Sequence, residues 1–265
     1  MRNSVKRPLD RPGKPGPLLP RLSPERIGLI GHMVAGYPNE RDAFEMVRIM
    51  AGSGVALIEI QIPFSEPMAD GSLLMRANHK ALENGSTVAK AFAFAEKVAG
   101  RFDVPFVFMT YFNPIFRMGC EVFARRAIDA GVRGLIVPDM PLDRDEGMEE
   151  ASWAQGLAIV PVVPPNISDE RLLMCMERGS GFVYAVARAG VTGGKTKFGS
   201  EQTDFLRRIR NQSGELPIAM GFGLTRRADL KALKGTADYG IIGSHGLRVW
   251  EEGGRRAYQA VWAGV

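Results

Sequence analysis

The chain has 265 residues, of which 45% are hydrophobic and 24% are charged, as expected for one soluble α/β domain of barrel size. No run approaches the roughly 18 apolar residues that a membrane helix needs, and the Pro- and Arg-rich N-terminus lacks the apolar core of a signal peptide. The two cysteines, Cys120 and Cys175, have no metal-ligand spacing, which favours a reduced, cytoplasmic protein.

The formal net charge of +5 comes from the N-terminus, because residues 1–26 hold seven basic and two acidic residues. The remainder is formally neutral, which argues against a nucleic-acid footprint spread over the fold. Six of the seventeen prolines also lie in residues 1–26. We therefore expect residues 1–26 to form a disordered tail, inert or weakly attracted to an acidic surface, and residues 27–265 to form the catalytic domain.

From residue 29 onward, short apolar runs alternate with charged amphipathic segments. The predicted strands are residues 29–35, 55–62, 104–110, 134–137, 157–163, 182–187, 216–220 and 239–242. The predicted helices are residues 39–50 with Asn39 as N-cap, 72–83, 88–99, 121–130, 144–155, 168–177, 201–210, 227–233 and a C-terminal helix. Eight strand–helix units with uniformly apolar strands predict a parallel sheet covered on both faces.

Two architectures alternate strands and helices in this way, the closed barrel and the open doubly wound sheet. The first strand is followed by AGYP at residues 35–38, which lacks the glycine spacing of a dinucleotide-binding sheet. The glycine-rich turns instead follow the last three strands, where barrels build phosphate sites. The pattern therefore favours a single-domain (β/α)₈ TIM barrel.

Glu59 stands inside the otherwise apolar strand at residues 55–62. A buried carboxylate costs several kcal/mol unless it is paired, hydrogen-bonded or protonated. A core ion pair is one reading, but the other predicted strands place no Lys or Arg centrally. A carboxyl at the mouth of a barrel, with its pKa raised by desolvation, is suited to general acid–base catalysis.

Asp70 follows in the loop directly after that strand, where Asp70-Gly71 alone is only a turn signal. Two carboxyls at one barrel mouth can divide the work, one moving protons and one stabilising positive charge. Glycine turns at residues 189–195, 221–225 and 242–246 then predict a cradle of backbone N–H groups for phosphate.

Residues 59–71 read EIQIPFSEPMADG, and MTYFN, PDMP, GFVY, GVTG, GFG and GS follow at residues 109, 138, 181, 190, 221 and 243. These blocks resemble the tryptophan synthase alpha subunits, in the same order, from about residue 27 to the C-terminus. The resemblance implies cleavage of indole-3-glycerol phosphate to indole and glyceraldehyde 3-phosphate. It also implies no cofactor in this chain and a pyridoxal-phosphate beta subunit as partner, in an alpha2beta2 assembly.

The resemblance also implies roles for individual residues. Glu59 matches the acid–base carboxyl, Asp70 the carboxylate that holds the indole N–H, and Tyr184 the tyrosine beside them, although an isolated strand tyrosine is also a packing residue. The positions that match substrate contacts are Met109, Tyr111 and Ile136 at the indole, Thr192 on a loop that closes toward Asp70, and Gly193, Gly223, Gly243 and Ser244 at the phosphate. Asp139 matches a loop-ordering aspartate.

Several positions depart from the commoner family pattern. They are His32 for an aromatic residue, Gln61 for a glycine, Glu66 for an aspartate, Ser72 for a proline and His245 for a small residue. His32 is open to two readings, a packed strand histidine or a ligand contact. Three other functions stay open: a free-standing lyase that releases indole, a non-catalytic activator of the beta subunit, and another phosphate-binding barrel such as a sugar-phosphate isomerase.

Overall fold

The structure is a computed structural model that describes residues 13–142, 144–186, 199–221, 224 and 227–263. Its strand segments are β1 (Gly28–Val34), β2 (Leu57–Gln61), β3 (Phe106–Met109), β4 (Val132–Ile136), β5 (Ala158–Val160), β6 (Val162–Val163), β7 (Val183–Val186), β8 (Ile218–Gly221) and β9 (Tyr239–Ile242). Its helices are α1 (Glu40–Gly52), α2 (Ser72–Glu83), α3 (Val88–Ala99), α4 (Phe112–Met118), α5 (Cys120–Asp129), α6 (Met148–Ala154), α7 (Asp169–Arg178), α8 (Ser200–Gln212), α9 (Arg227–Leu233) and α10 (Ser244–Ala263).

The nine strand segments form one parallel sheet in the order β5-β4-β3-β2-β1-β9-β8-β7-β6. The two ends of this order, β5 and β6, are separated along the chain by Pro161 alone, and the N–H of Tyr184 in β7 donates to the Pro161 carbonyl at 2.9 Å. The sheet therefore closes on itself, and the predicted barrel is confirmed. The predicted fifth strand, residues 157–163, is divided because proline has no N–H for the ladder.

Most predicted helices lie where the periodicity placed them, because polar side chains cap their first turns. Asn39, Thr87 and Ser168 accept hydrogen bonds from backbone N–H groups three residues later, at the starts of α1, α3 and α7. Two helices differ from the prediction. Helix α4 lies in a stretch to which the sequence analysis assigned no element, and Pro114 in its first turn is tolerated there. Helix α6 begins at Met148 rather than at residue 144.

Strand residues alternate between two apolar layers. One layer lies between the sheet and the helices and includes Met33, Ile58 and Ile60. The other fills the barrel interior and includes Ile30, Leu57, Val107, Ile136, Phe182, Ala219 and Tyr239. Above this filled interior, the inward positions of β1 and β2 become polar. Among the described helices, none is both long and apolar enough to cross a membrane.

The N-terminal segment at residues 13–26 lies against the N-terminal ends of the strands. Leu19 is buried in the inner apolar layer, with Leu18 packed beside it, and the Leu22 N–H donates to Asp238 Oδ1 at 3.0 Å. The sequence predicted a free tail up to residue 26. In the structure, residues 13–26 pack against the barrel instead, because their leucines cover the inner apolar layer at the N-terminal ends of the strands.

Candidate active site

Glu59 lies on β2 with its side chain fully buried inside the barrel. The parallel register places it directly beside His32 of β1, and Glu59 Oε2 lies 3.0 Å from His32 Nδ1. The other carboxyl oxygen, Oε1, is buried and has no hydrogen-bond partner among the described residues. Within that part of the chain, one oxygen of Glu59 is therefore held by His32 and the other is open.

Asp70 is joined to the same group through Gln61. The Gln61 amide Nε2 donates to Asp70 Oδ2 at 2.6 Å, and Gln61 Oε1 lies 3.1 Å from His32 Nε2. All four side chains are buried, and in the described part of the chain neither Asp70 Oδ1 nor Glu59 Oε1 has a hydrogen-bond partner. The two predicted carboxyls thus belong to one hydrogen-bonded chain, and each presents one open oxygen.

Burial raises the pKa of Glu59 above its ordinary value, although the hydrogen bond and charge of His32 oppose the rise. Burial also raises the pKa of Asp70, against the hydrogen bond from Gln61, the charge of His32 and the hydroxyl of Tyr111. For His32, burial lowers the pKa, but Glu59, Asp70 and Gln61 together outweigh it and raise the pKa. Each of these three groups therefore binds its proton more strongly than it does in water.

The loop at residues 63–71 is fixed by side chains from two neighbouring elements. Asn78 of α2 is fully buried and accepts the Phe64 N–H at 3.0 Å. The Ala69 N–H donates to the Tyr111 hydroxyl at 3.1 Å, and the rings of Phe64 and Tyr111 stack with centroids 5.2 Å apart. These contacts hold Asp70 over the end of β2.

Tyr184 of β7 projects into the same interior. Burial raises the pKa of its hydroxyl well above the ordinary value, and the charges of Glu59 and Asp70 raise it further. A Cβ atom at Gly221 would lie only 2.8 Å from the Tyr184 ring. Gly221, the last residue of β8, therefore makes room for the ring of Tyr184.

Met109 and Ile136 lie side by side on β3 and β4, where both are buried in the inner apolar layer. Tyr111 is buried beside them, at the start of α4. Asp139 Oδ1 accepts the Phe112 N–H at 2.9 Å, so this aspartate fixes the start of α4, in keeping with the loop-ordering role expected for it.

Of the predicted phosphate cradle, the described part is Gly243 and Ser244. They join β9 to α10, and both are half-buried. Gly243 lies beside His32, since a Cβ there would be 3.5 Å from the imidazole. Thr192, Gly193 and Gly223 lie outside the described residues. Across the described ranges, no group of three His, Cys, Asp or Glu side chains is arranged to hold a metal ion.

Sequence reasoning identified both carboxyls but missed the bridge between them. His32 and Gln61 stood out only as departures from the family pattern, and their contact depends on the register of β1 with β2. The other departures lie elsewhere: Glu66 is exposed on the loop, Ser72 begins α2, and His245 lies in the first turn of α10.

Comparison with known proteins agrees with this geometry. The family model of the tryptophan synthase alpha chain matches residues 21–262. The tryptophan synthase alpha chain of Syntrophotalea carbinolica is 45% identical over 91% of this chain and 94% of its own. That of Desulforapulum autotrophicum is 42% identical over 88% of this chain and 92% of its own.

Solved structures give the same result. A tryptophan synthase structure from Mycobacterium tuberculosis aligns with a TM-score of 0.84 and 32% identity, over 91% of each chain. A tryptophan synthase complex from Pyrococcus furiosus aligns with a TM-score of 0.81 and 30% identity, over 92% of this chain and 95% of that one. The chain belongs to the tryptophan synthase alpha chain family.

Proposed function

We propose that Glu59 and Asp70 divide the chemistry of the family's lyase reaction, the cleavage of indole-3-glycerol phosphate to indole and glyceraldehyde 3-phosphate. The observation that carries this proposal is the pair of open carboxyl oxygens, Glu59 Oε1 and Asp70 Oδ1. Both are buried without a hydrogen-bond partner among the residues that the structure describes, and a buried polar atom left unpaired costs about 1–3 kcal/mol. A ligand with matching polar groups removes that cost.

Glu59 supplies the proton transfers. Indole is a poor carbon leaving group until its C3 atom is protonated, which turns the ring into an iminium ion. Glu59 donates that proton and then, as a carboxylate, takes the proton of the adjacent glycerol hydroxyl. The hydroxyl oxygen becomes the aldehyde, the bond from C3 breaks, and its electron pair returns to the ring. Glu59 is protonated again at the end, so one carboxyl completes the cycle.

Asp70 stabilises the ring cation. Its open oxygen accepts the indole N–H, while its other oxygen is held by Gln61 at 2.6 Å. A carboxylate fixed in a buried site interacts with developing positive charge more strongly than it would in water. Tyr184 is close enough for the charges of Glu59 and Asp70 to act on its hydroxyl, and in this proposal it limits the position of the substrate.

The phosphate is proposed to lie at the start of α10. Gly243 and Ser244 precede the first free N–H groups of that helix, and a helix N-terminus attracts an anion. The proposal also assigns Thr192, Gly193 and Gly223, which lie outside the described residues, to substrate binding. Met109, Tyr111 and Ile136 form the apolar wall for the indole ring.

We further propose that this chain works in an alpha2beta2 complex with a pyridoxal-phosphate beta subunit, to which it passes the indole. Exposed apolar side chains lie beside the site: Met68 is 81% exposed on the loop and Phe116 is 66% exposed on α4. Such side chains near a mouth are typical of a protein interface. We place this complex in the cytoplasm, where the thiols of Cys120 and Cys175 stay reduced.

The test is to measure indole release from indole-3-glycerol phosphate by the purified chain, alone and with increasing amounts of the cognate beta subunit. We expect release by the chain alone and a saturable stimulation of about 5- to 150-fold, the usual size of coupling between sites. Full activity without any response to the beta subunit would instead identify a free-standing lyase. Absence of indole release in both conditions would reject the catalytic proposal, and stimulation of the beta subunit alone would then identify a non-catalytic activator.

A further inference from the structure

We propose that His32 and Gln61 couple the two catalytic carboxyls into one proton-sharing unit, in which His32 is the cation that lets Glu59 act from its open oxygen. This inference rests on the proposed roles of Glu59 and Asp70. His32 and Gln61 are positioning residues, because neither is assigned a contact with the substrate.

The direction of the hydrogen bonds follows from chemistry. Asp70 as a carboxylate can only accept, so the Gln61 amide nitrogen faces it and donates at 2.6 Å. The Gln61 oxygen then faces His32 Nε2 at 3.1 Å, and this contact is a hydrogen bond only when Nε2 carries a proton. The two hydrogen bonds that connect Asp70 to His32 through Gln61 therefore require a proton on His32 Nε2.

The state of His32 Nδ1 then decides which oxygen of Glu59 holds its proton. With neutral His32, Nδ1 is an acceptor, and the Glu59 proton must lie on Oε2, which faces the imidazole at 3.0 Å. With imidazolium, Nδ1 donates to Oε2, and the Glu59 proton lies on Oε1. Only the second arrangement presents an acid to the substrate, because Oε1 is the open oxygen.

Charge balance favours the same state. In the described residues, His32 is the ion-pair partner of Glu59, and burying two carboxylates with no nearby cation costs several kcal/mol. Imidazolium balances Asp70 while Glu59 is protonated. After Glu59 gives up its proton, the iminium ring and His32 together balance both carboxylates. The proton that leaves Oε1 for C3 returns to Oε1 from the glycerol hydroxyl, and His32 keeps its two protons throughout.

The groups that face His32 make the pH dependence specific. Glu59 lies beside it on β2, Asp70 acts on it from the loop, and beyond β9 it faces the uncharged Gly243. Alkaline pH removes a proton from the Glu59–His32 pair and so removes the acid. Without His32, burial acts on Glu59 unopposed and raises its pKa further, so the alkaline limb must move to higher pH.

The experiment compares His32→Phe, His32→Gln, Gln61→Leu and the double variant His32→Phe/Gln61→Leu in the full-length chain. Met33→Leu is the matched control, since Met33 is the next residue of β1 and packs in the outer layer. We expect His32→Phe and His32→Gln to lower kcat at pH 7 by about tenfold or more, one pKa unit in energy. We expect both to shift the alkaline limb of kcat to higher pH. The double variant should be no slower than the slower single variant, because both changes break the same link.

A second readout does not need the reaction. The chain has three histidines, so His32→Phe identifies the His32 signals in ¹⁵N NMR spectra. We expect Nε2 to stay protonated across the titration, and Glu59→Gln to lower the pKa of His32. If wild-type protein releases no indole, the proposed function fails, and the NMR titration still decides the bridge. If wild-type protein is active and His32→Phe and His32→Gln keep its rate and pH profile, or if Nε2 is unprotonated, the inference is overturned.

Discussion

The ring of Tyr184 occupies the space that a side chain at Gly221 would need, since a Cβ there would lie 2.8 Å from Cε1 and 3.0 Å from the hydroxyl oxygen. Gly221→Ala should therefore displace the tyrosine from its place beside Glu59 and Asp70. We expect kcat for indole release to fall and stability to drop by about 1–3 kcal/mol, the cost of overpacking. Gly16→Ala is the control, because a Cβ at Gly16 has open space within 4 Å. Equal activity of both variants would show that the tyrosine position is unimportant.

Glu59→Gln should abolish most indole release. Glutamine keeps the shape of the side chain but cannot deliver a proton, and loss of a general acid–base typically costs about 10²- to 10⁴-fold in rate. Binding of glycerol 3-phosphate, measured by calorimetry, should stay close to wild type. Glu83→Gln is the matched control, since Glu83 is an exposed residue that pairs with Lys80. A near-normal turnover of Glu59→Gln would exclude the assigned role.

Asp70→Asn should separate activity from stability. We expect indole release to fall by about 10²-fold or more, because a stabilising charge is lost. Because the folded pKa of Asp70 is raised by burial, ionising it costs stability. That cost is absent below the unfolded pKa and grows as pH rises through the folded pKa. The variant should therefore melt at a higher temperature than wild type at pH 8, with the difference shrinking toward pH 4. A constant difference across this range would contradict the raised pKa.

Met68→Lys should weaken binding of the beta subunit. The Met68 side chain is 81% exposed on the loop that carries Asp70, and a charge buried in an apolar interface is costly. We expect calorimetry to give a dissociation constant for the beta subunit at least tenfold higher than that of wild type. Indole release by the chain without the beta subunit should change less than this. Leu173→Lys is the control, because Leu173 is 48% exposed on α7. Similar binding by the two variants would place the interface elsewhere.

Asp238→Asn should destabilise the barrel without altering the chemistry. One Asp238 oxygen accepts the Leu22 N–H at 3.0 Å, and the other accepts Arg210 and the Ile218 N–H, both at 2.7 Å. An amide nitrogen in the place of Oδ2 would face two donors and could accept from neither. We therefore expect the free energy of unfolding, measured with denaturant, to fall by about 2–4 kcal/mol. The exposed Asp129→Asn serves as the control. Unchanged stability of Asp238→Asn would show that this network is not needed.

The barrel and its two carboxyls could be predicted because each leaves a local signal. A lone Glu59 in an apolar strand is unusual on energetic grounds alone. Helix α2 could be predicted because its apolar residues recur at helical spacing and Asn84 follows its last turn. Helix α4 was not predicted, because a helix of seven residues is too short to show a clear helical periodicity.

The bridge through His32 and Gln61 could not be predicted for a different reason. It depends on which residues lie side by side on two strands, and a shift of one residue in register would point His32 away from the interior. The same holds for residues 13–26, where composition indicated disorder. Their contacts with the floor of the barrel, through Leu19 for example, appear only once the strands are assembled.

The closed N-terminal end of the barrel has a consequence for the path that substrate and product take. Leu19 and the inner apolar layer fill the barrel below Glu59, so the described residues leave the site no opening at that end. In the function proposed above, substrate enters and indole leaves at the opposite end, where Met68 lies. A beta subunit bound at Met68 would then receive the indole without a tunnel through the barrel.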